Sequence, residues 1–136
     1  EVLSPANTSS HWDVIEGQGS LFHPAYAGVS LGLLHGSQPE AVILCHEAGR
    51  TTLGFFDDFP TPDLQTAIDR HLEAARLTSP DVRCAGVSIN TQSMETAEAK
   101  ELCGVLSRTL ATPVTDPVRF GAGPLVDELL KAPSHK

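Results

Sequence analysis

Apolar residues fall in short blocks along this chain, separated by polar stretches rich in glycine and proline. Trp12, Val14 and Ile15 form the first block, interrupted by Asp13 and ended by Glu16. It predicts a strand over 12–16, followed by a turn at Gly17-Gln18-Gly19-Ser20. Val29, Leu31, Leu33 and Leu34 lie among small residues up to Gly36 and predict a short helix over 26–35. Ala41-Val42-Ile43-Leu44-Cys45 is a continuous apolar run, as in a strand covered on both faces. Leu64, Ala67, Ile68, His71, Leu72 and Ala75 recur at helical spacing, with Thr61 as the expected cap and Pro62 at the first position. Val82 to Ile89 predicts another strand, ending in Asn90-Thr91. Ser93 is the expected cap of a helix over 94–110, with Glu95 and Glu98 near its start and Arg108 near its end, as the helix dipole favours. Thr112 to Thr115 predicts a last strand ending in Asp116-Pro117, and Gly123-Pro124 opens a final helix.

Strands and helices thus alternate, with connections too long for hairpins. This predicts an α/β fold, a parallel sheet with crossover helices. Residues 12–132 are expected to form one domain, with polar tails or linkers at 1–11 and 133–136. In a parallel sheet all strand ends share one edge, and ligands bind there. Four strand ends carry polar residues: Glu16 to Ser20, His46-Glu47, Asn90-Thr91 and Asp116. The connection over 46–61 holds Phe55, Phe56 and Phe59; its length suits a binding loop, while its rings are expected to anchor it on the core.

Composition narrows the function. The chain has 136 residues and a net charge of −8, which argues against a nucleic-acid backbone as partner. No apolar run approaches the roughly 20 residues of a membrane span, and no signal peptide is visible. Cys45, Cys84 and Cys103 form no Cys-x-x-Cys pair, so buried thiols and a reducing, cytoplasmic location are expected. The first residue is Glu1, which suggests a fragment or a processed chain.

Glu16 has three readings: a magnesium ligand, a general base, or a carboxylate that caps the Gly17–Ser20 turn. His23 and His46 are the histidines nearest the expected site, and either is suited to moving a proton near neutral pH. Cys45 and His46 are neighbours on a strand and point to opposite faces, so they make a poor dyad. His71 lies on an apolar helical face and is expected to be packed. The six histidines show no compact metal spacing, so no protein-held metal is expected. A Gly-x-x-x-x-Gly-Lys-Ser/Thr phosphate loop is absent from the sequence.

The run IEGQGSLFHPAYAGVSLGLLHG, followed by AVILCHEAGR and GVSINT, closely resembles the C-terminal part of a family of P-loop-like proteins long labelled as of unknown function. That family includes D-glutamate N-acetyltransferase. A weaker similarity, through Glu16-Gly17-Gln18-Gly19 and Gly86-Val87-Ser88-Ile89-Asn90, links the chain to dethiobiotin synthetase and cobyrinate amidases. The resemblance implies a P-loop NTPase-like, Rossmann-like three-layer fold lacking its P-loop segment. It implies an N-terminal domain of the same protein, or a homo-oligomer, as partner. It also implies acetyl-CoA as co-substrate and an amino acid such as D-glutamate as acceptor. The family-motif positions are Glu16, Gly17, Gln18, Gly19, Ser20, His23, Pro24, Tyr26, His46 and Arg50. Glu16 and His46 are the candidate catalytic residues. Gly17, Gln18, Gly19, Ser20, His23, Tyr26, Arg50, Asn90 and Thr91 are the candidate substrate-binding residues. The alternative is an ATP-dependent ligase or nucleotide hydrolase with Glu16 on Mg2+, or a non-catalytic domain that pairs with a P-loop-bearing partner.

Overall fold

The strand Arg83–Asn90 carries most of the core. Val87 and Ile89 are almost fully buried, and Ala85 and Gly86 beside them are small, so helices approach this strand closely from both faces. The computed structural model describes residues 11–131. The expected tails fall outside those residues, apart from His11. The elements run α1 (Ala27–Ser37), β1 (Ala41–Glu47), β2 (Thr52–Leu53), β3 (Phe56–Pro60), α2 (Leu64–Ala75), β4 (Arg83–Asn90), α3 (Thr96–Leu110), β5 (Val114–Thr115), α4 (Pro117–Phe120) and α5 (Gly123–Leu129).

β1, β4 and β5 form one sheet in that order, and both pairings are parallel. Ile68 of α2 and Cys103 of α3 join Val87, Ile89 and Val114 in a single buried cluster on one face. Gly86 turns to the other face, where Leu125 of α5 and the carbonyl of Pro113 leave no room for a side chain. The predicted α/β architecture with crossover helices is therefore the observed one.

Several local expectations differ. The segment over 12–16 is not a strand among the described residues: it has no strand partner, and Trp12, Val14 and Ile15 are 52%, 92% and 51% exposed. An apolar pattern makes a strand only when a neighbour completes its hydrogen-bond ladder. Among the described residues the sheet accordingly has three strands where at least four were expected. The connection after β1 is not a plain loop but an antiparallel hairpin, β2–β3. Phe55 stands fully exposed at its turn, with a φ of 66°. Phe56 instead packs inward, edge-on to His23 and to Phe59, so the rings anchor the hairpin as expected at one of the two adjacent positions.

The helix caps shift as well. Asp63, not Thr61, caps α2, its carboxylate accepting from the N–H and the hydroxyl of Thr66. Glu95 occupies the cap position of α3 in place of Ser93. Cys103 is buried and Cys84 half-buried, but Cys45 is exposed, against the expectation of three buried thiols. β1 lies at the edge of the sheet, which leaves its apolar run half-covered.

Candidate functional site

The parallel register brings His46 opposite Ile89 and Glu47 opposite Asn90, and Asp116 follows β5 directly. The C-terminal ends of all three strands thus share one edge. A cleft of about 170 Å³ opens beside β1 at this edge. Gly19, Ser20 and His23 line one side, Leu44 to Glu47 and Arg50 the floor, and Thr61 before α2 with Leu64 and His71 of α2 another side. Leu53 and Gly54 of the hairpin close one end.

Gly19 is held at a φ of 56°, and a Cβ there would lie 2.8 Å from Cβ of Tyr26. Only glycine fits this turn without displacing Tyr26. Phe22 donates its N–H to Ser20 Oγ, and His23 donates its N–H to the Ser20 carbonyl, which closes the turn. The carbonyl of Gln18 accepts from the Ser30 hydroxyl. The Gly-rich segment is therefore tied to α1 rather than to a strand.

The two candidate histidines differ in their freedom. His23 is 7% exposed and packs against Tyr26 with the two rings tilted by 43°. Its Nδ1 accepts from the Ala25 N–H at 3.2 Å, so the proton sits on Nε2, which donates to the Gly54 carbonyl at 3.2 Å. Both nitrogens are engaged, and His23 pins the Gly-rich loop to the hairpin. His46 keeps its ring at the cleft floor. Burial, reinforced by the Arg50 guanidinium, holds its pKa below the ordinary histidine value, and Glu47 opposes this in part. The neutral imidazole is therefore the favoured form of His46 at neutral pH. Arg50 pairs with Glu47 at 2.6 Å, both half-exposed.

Glu16 is exposed and lies outside the cleft lining. Cys45 is exposed as a residue, but partial desolvation of its sulfur pushes the thiol pKa up, and the negative charge of Glu16 adds to this. Tyr26, Gln18 and Gly17 are not among the residues lining the cleft, and Gly17 meets no steric restriction.

Asn90 and Thr91 do not line the cleft. Asn90 Oδ1 accepts the Gln92 N–H and shapes the turn after β4. Thr91 is fully buried and donates both its N–H and its hydroxyl to Asp116, at 2.9 and 2.5 Å. Asp116 also accepts from the N–H groups of Val118 and Arg119. Burial alone would raise its pKa, but these four hydrogen bonds outweigh it and hold the carboxyl below the usual range. Arg119 completes the knot by donating to the carbonyls of Thr91 and Met94. The strand-end signal at Thr91 and Asp116 thus marks a structural lock.

Sequence reasoning missed the α2 wall. His71 is half-buried as expected, donating from Nδ1 to the Ala67 carbonyl at 2.7 Å, yet it also lines the cleft. Thr61, expected as a cap, lines it too, with a buried hydroxyl that has no hydrogen-bond partner among the described residues. Its placement follows from the hairpin, which returns the chain at Pro60 against the start of β2. No period-based signal reports that turn.

Residues 1–126 match the family described as "Domain of unknown function (DUF1611_C) P-loop domain". The chain belongs to this family. It is 48% identical over 129 residues to a protein from Pseudoalteromonas named D-glutamate N-acetyltransferase, and 44% identical to one of the same name from Tritonibacter scottomollicae. Each match covers 95% of this chain and 39% of the relative, so the chain spans about two-fifths of the relatives' length. A crystal structure of a DUF1611 family protein from Anabaena variabilis superposes with a TM-score of 0.78 at 35% identity, over 86% of this chain and 34% of that one. Among the described residues no helix is long and apolar enough to cross a membrane.

Proposed function

We propose that this chain is part of an N-acetyltransferase that passes the acetyl group of acetyl-CoA to the amine of D-glutamate or a related amino acid. The observation that carries this reading is the 48% and 44% identity, over 95% of the chain, to two proteins bearing that name. The cleft supports it chemically. An amino acid carries a protonated amine at neutral pH, and the amine attacks a thioester only after losing that proton. His46, held neutral by burial, takes the proton. The freed nitrogen then bonds to the acetyl carbonyl carbon, and the carbonyl oxygen becomes an oxyanion. Backbone N–H groups of the Gly17–Ser20 turn are the donors for that charge. The C–S bond breaks, the departing thiolate takes the proton from the His46 imidazolium, and the new amide nitrogen gives up its remaining extra proton to the freed imidazole and from there to water. Arg50 offers its guanidinium to an acceptor carboxylate, exchanging Glu47 for substrate. Glu16, near the end of β1, is the second candidate base.

The cleft volume of about 170 Å³ is below the roughly 300 Å³ where ligand pockets usually begin. It suits the acceptor and the acetyl group, with the body of CoA lying outside. The test is a binding screen of the complete polypeptide against acetyl-CoA, ATP and D-glutamate, followed by product analysis. Binding of acetyl-CoA with formation of N-acetylglutamate supports the reading. Mg2+-dependent ATP turnover without acetylated product overturns it in favour of a ligase or nucleotide hydrolase.

A further inference from the structure

Three histidines line the cleft: His23, His46 and His71. His23 has both ring nitrogens engaged, and His46 is the proposed base. His71, on α2, is neither. Its ring lies near that of Phe22, with centroids 6.3 Å apart and planes tilted by 46°, within the range of aromatic contact. The imidazole is thus in contact with the segment after the Gly-rich turn as well as with its own helix.

The tautomer of His71 is fixed by its one ring hydrogen bond. A carbonyl oxygen only accepts, so Nδ1 carries the proton in the 2.7 Å bond to Ala67. In the neutral ring this leaves a lone pair on Nε2. Because Nδ1 faces the backbone of α2, Nε2 lies on the side of the ring away from it. Among the described residues the buried side-chain nitrogen and oxygen atoms without a partner are Thr61 Oγ1 and Arg83 Nη1, so the unpartnered Nε2 of His71 is open to solvent. A ring pinned through Nδ1 to a backbone carbonyl, with Nε2 free and reachable, is oriented to present one acceptor to a ligand.

The chemistry of the ligand group follows. A carboxylate brings only lone pairs and is repelled by another, whereas an amine or ammonium brings N–H donors. The cation suited to a carboxylate is Arg50 on the cleft floor. We infer that Nε2 of His71 accepts a hydrogen bond from the amino group of the acceptor and holds that group in the cleft it shares with His46. The inference rests on the reading of the cleft as an amino-acid site and adds a specificity-determining residue to it. An ammonium has three N–H groups; the base takes the proton of one, and His71 binds another and so fixes where the nitrogen stands. The substrate class is a primary amine that also carries a carboxylate, and the same acid without its amine forfeits the His71 contact.

Calorimetric binding of D-glutamate and of glutarate, the same diacid without the amine, tests it on the complete polypeptide. The forms compared are wild type, His71→Asn and His71→Gln, each with its Tm. Asparagine keeps an amide N–H near the place of Nδ1 and reaches no farther, whereas glutamine carries its amide out to the level of Nε2. Wild type is expected to bind D-glutamate more tightly than glutarate. His71→Asn should weaken D-glutamate by about 10-fold or more, the scale of a hydrogen bond to a charged group, and leave glutarate and Tm unchanged. His71→Gln should restore part of the preference. A preference undiminished in His71→Asn overturns the inference, and so does an equal loss of both ligands, which makes His71 a wall of the cleft. Product analysis with acetyl-CoA is the separate readout. Wild type that binds D-glutamate but forms no N-acetylglutamate overturns the acetyltransferase reading, while the glutarate comparison still judges His71. Wild type that binds neither diacid overturns both.

Discussion

His46 sits half-buried at the end of β1 with the Arg50 cation nearby, and both features favour the neutral imidazole. If it is the base, kcat/KM rises with pH as the imidazole loses its proton, with a midpoint below the ordinary value of 6.5. Arg50→Gln removes one of the two causes of the lowered pKa and leaves the Glu47 charge unopposed. The acid limb should then move to higher pH, and a profile that stays in place would separate His46 from that limb. Asp116 is a different kind of group, buried and satisfied by four hydrogen bonds. Its folded-state pKa is depressed, so its contribution to stability is complete above the unfolded carboxylate pKa of about 3.9 and is lost as pH falls through the folded value. Asp116→Asn should cost about 2–3 kcal/mol, the scale for hydrogen bonds to a buried charge. The variant should also show a shallower loss of stability in acid by pH-dependent thermal melts. At this scale the sequence was informative about which residues are polar and near the edge, since His46, Arg50, Gly19 and Ser20 all line the cleft. It was silent on roles fixed by three-dimensional partners. His23 lines the cleft while its hydrogen bonds to Gly54 and Ala25 hold its ring, and Thr91, which looks like an edge residue in one dimension, is buried on Asp116.

β4 is the element on which the others depend, because it pairs on both sides and receives helices on both faces. Gly86 makes that possible. Its φ is 143°, and a Cβ would lie 2.5 Å from Leu125 Cδ2 and 2.6 Å from the Pro113 carbonyl oxygen. The leucine tip has room to turn, but the Pro113 backbone is held by the β5 pairing. Gly86→Ala should therefore destabilise by about 1–3 kcal/mol, the usual range for overpacking a tight core. A chemical denaturation midpoint equal to wild type would contradict this account of the β4–β5 junction. The helical and buried-strand periods of α2, β4 and α3 were legible because burial imposes them, and β1 was legible from its apolar run although it is only half-covered. The hairpin β2–β3 was not legible: its strands are two and five residues long, and its turn places Phe55 where a glycine is favoured. The segment over 12–16 has a strand's composition, but pairing is a property of two segments, and composition reports only one.

Over the whole molecule, the sheet gathers its chemistry at one edge, and among the described residues no strand pairs with the outer side of β1. The first feature agrees with the rule for open α/β sheets, and the second agrees with relatives far longer than this chain. The motifs that carried the family resemblance at the Gly-rich turn and β1 wall the cleft, whereas the Gly86–Asn90 motif builds the sheet beside it. The fold class and family were thus readable from the sequence. The number of strands was not, because it depends on what covers the edge. The central claim is that this edge, with His46 as base, serves acetyl transfer to an amino acid. Its most direct test is acetyl transfer from labelled acetyl-CoA to D-glutamate by the complete polypeptide, for wild type and His46→Gln, with Tm measured on both. The account predicts N-acetylglutamate from wild type and a rate lowered by at least about 10²-fold in the variant at an unchanged Tm. Undiminished transfer by His46→Gln, or no transfer by a folded wild-type protein, would contradict it.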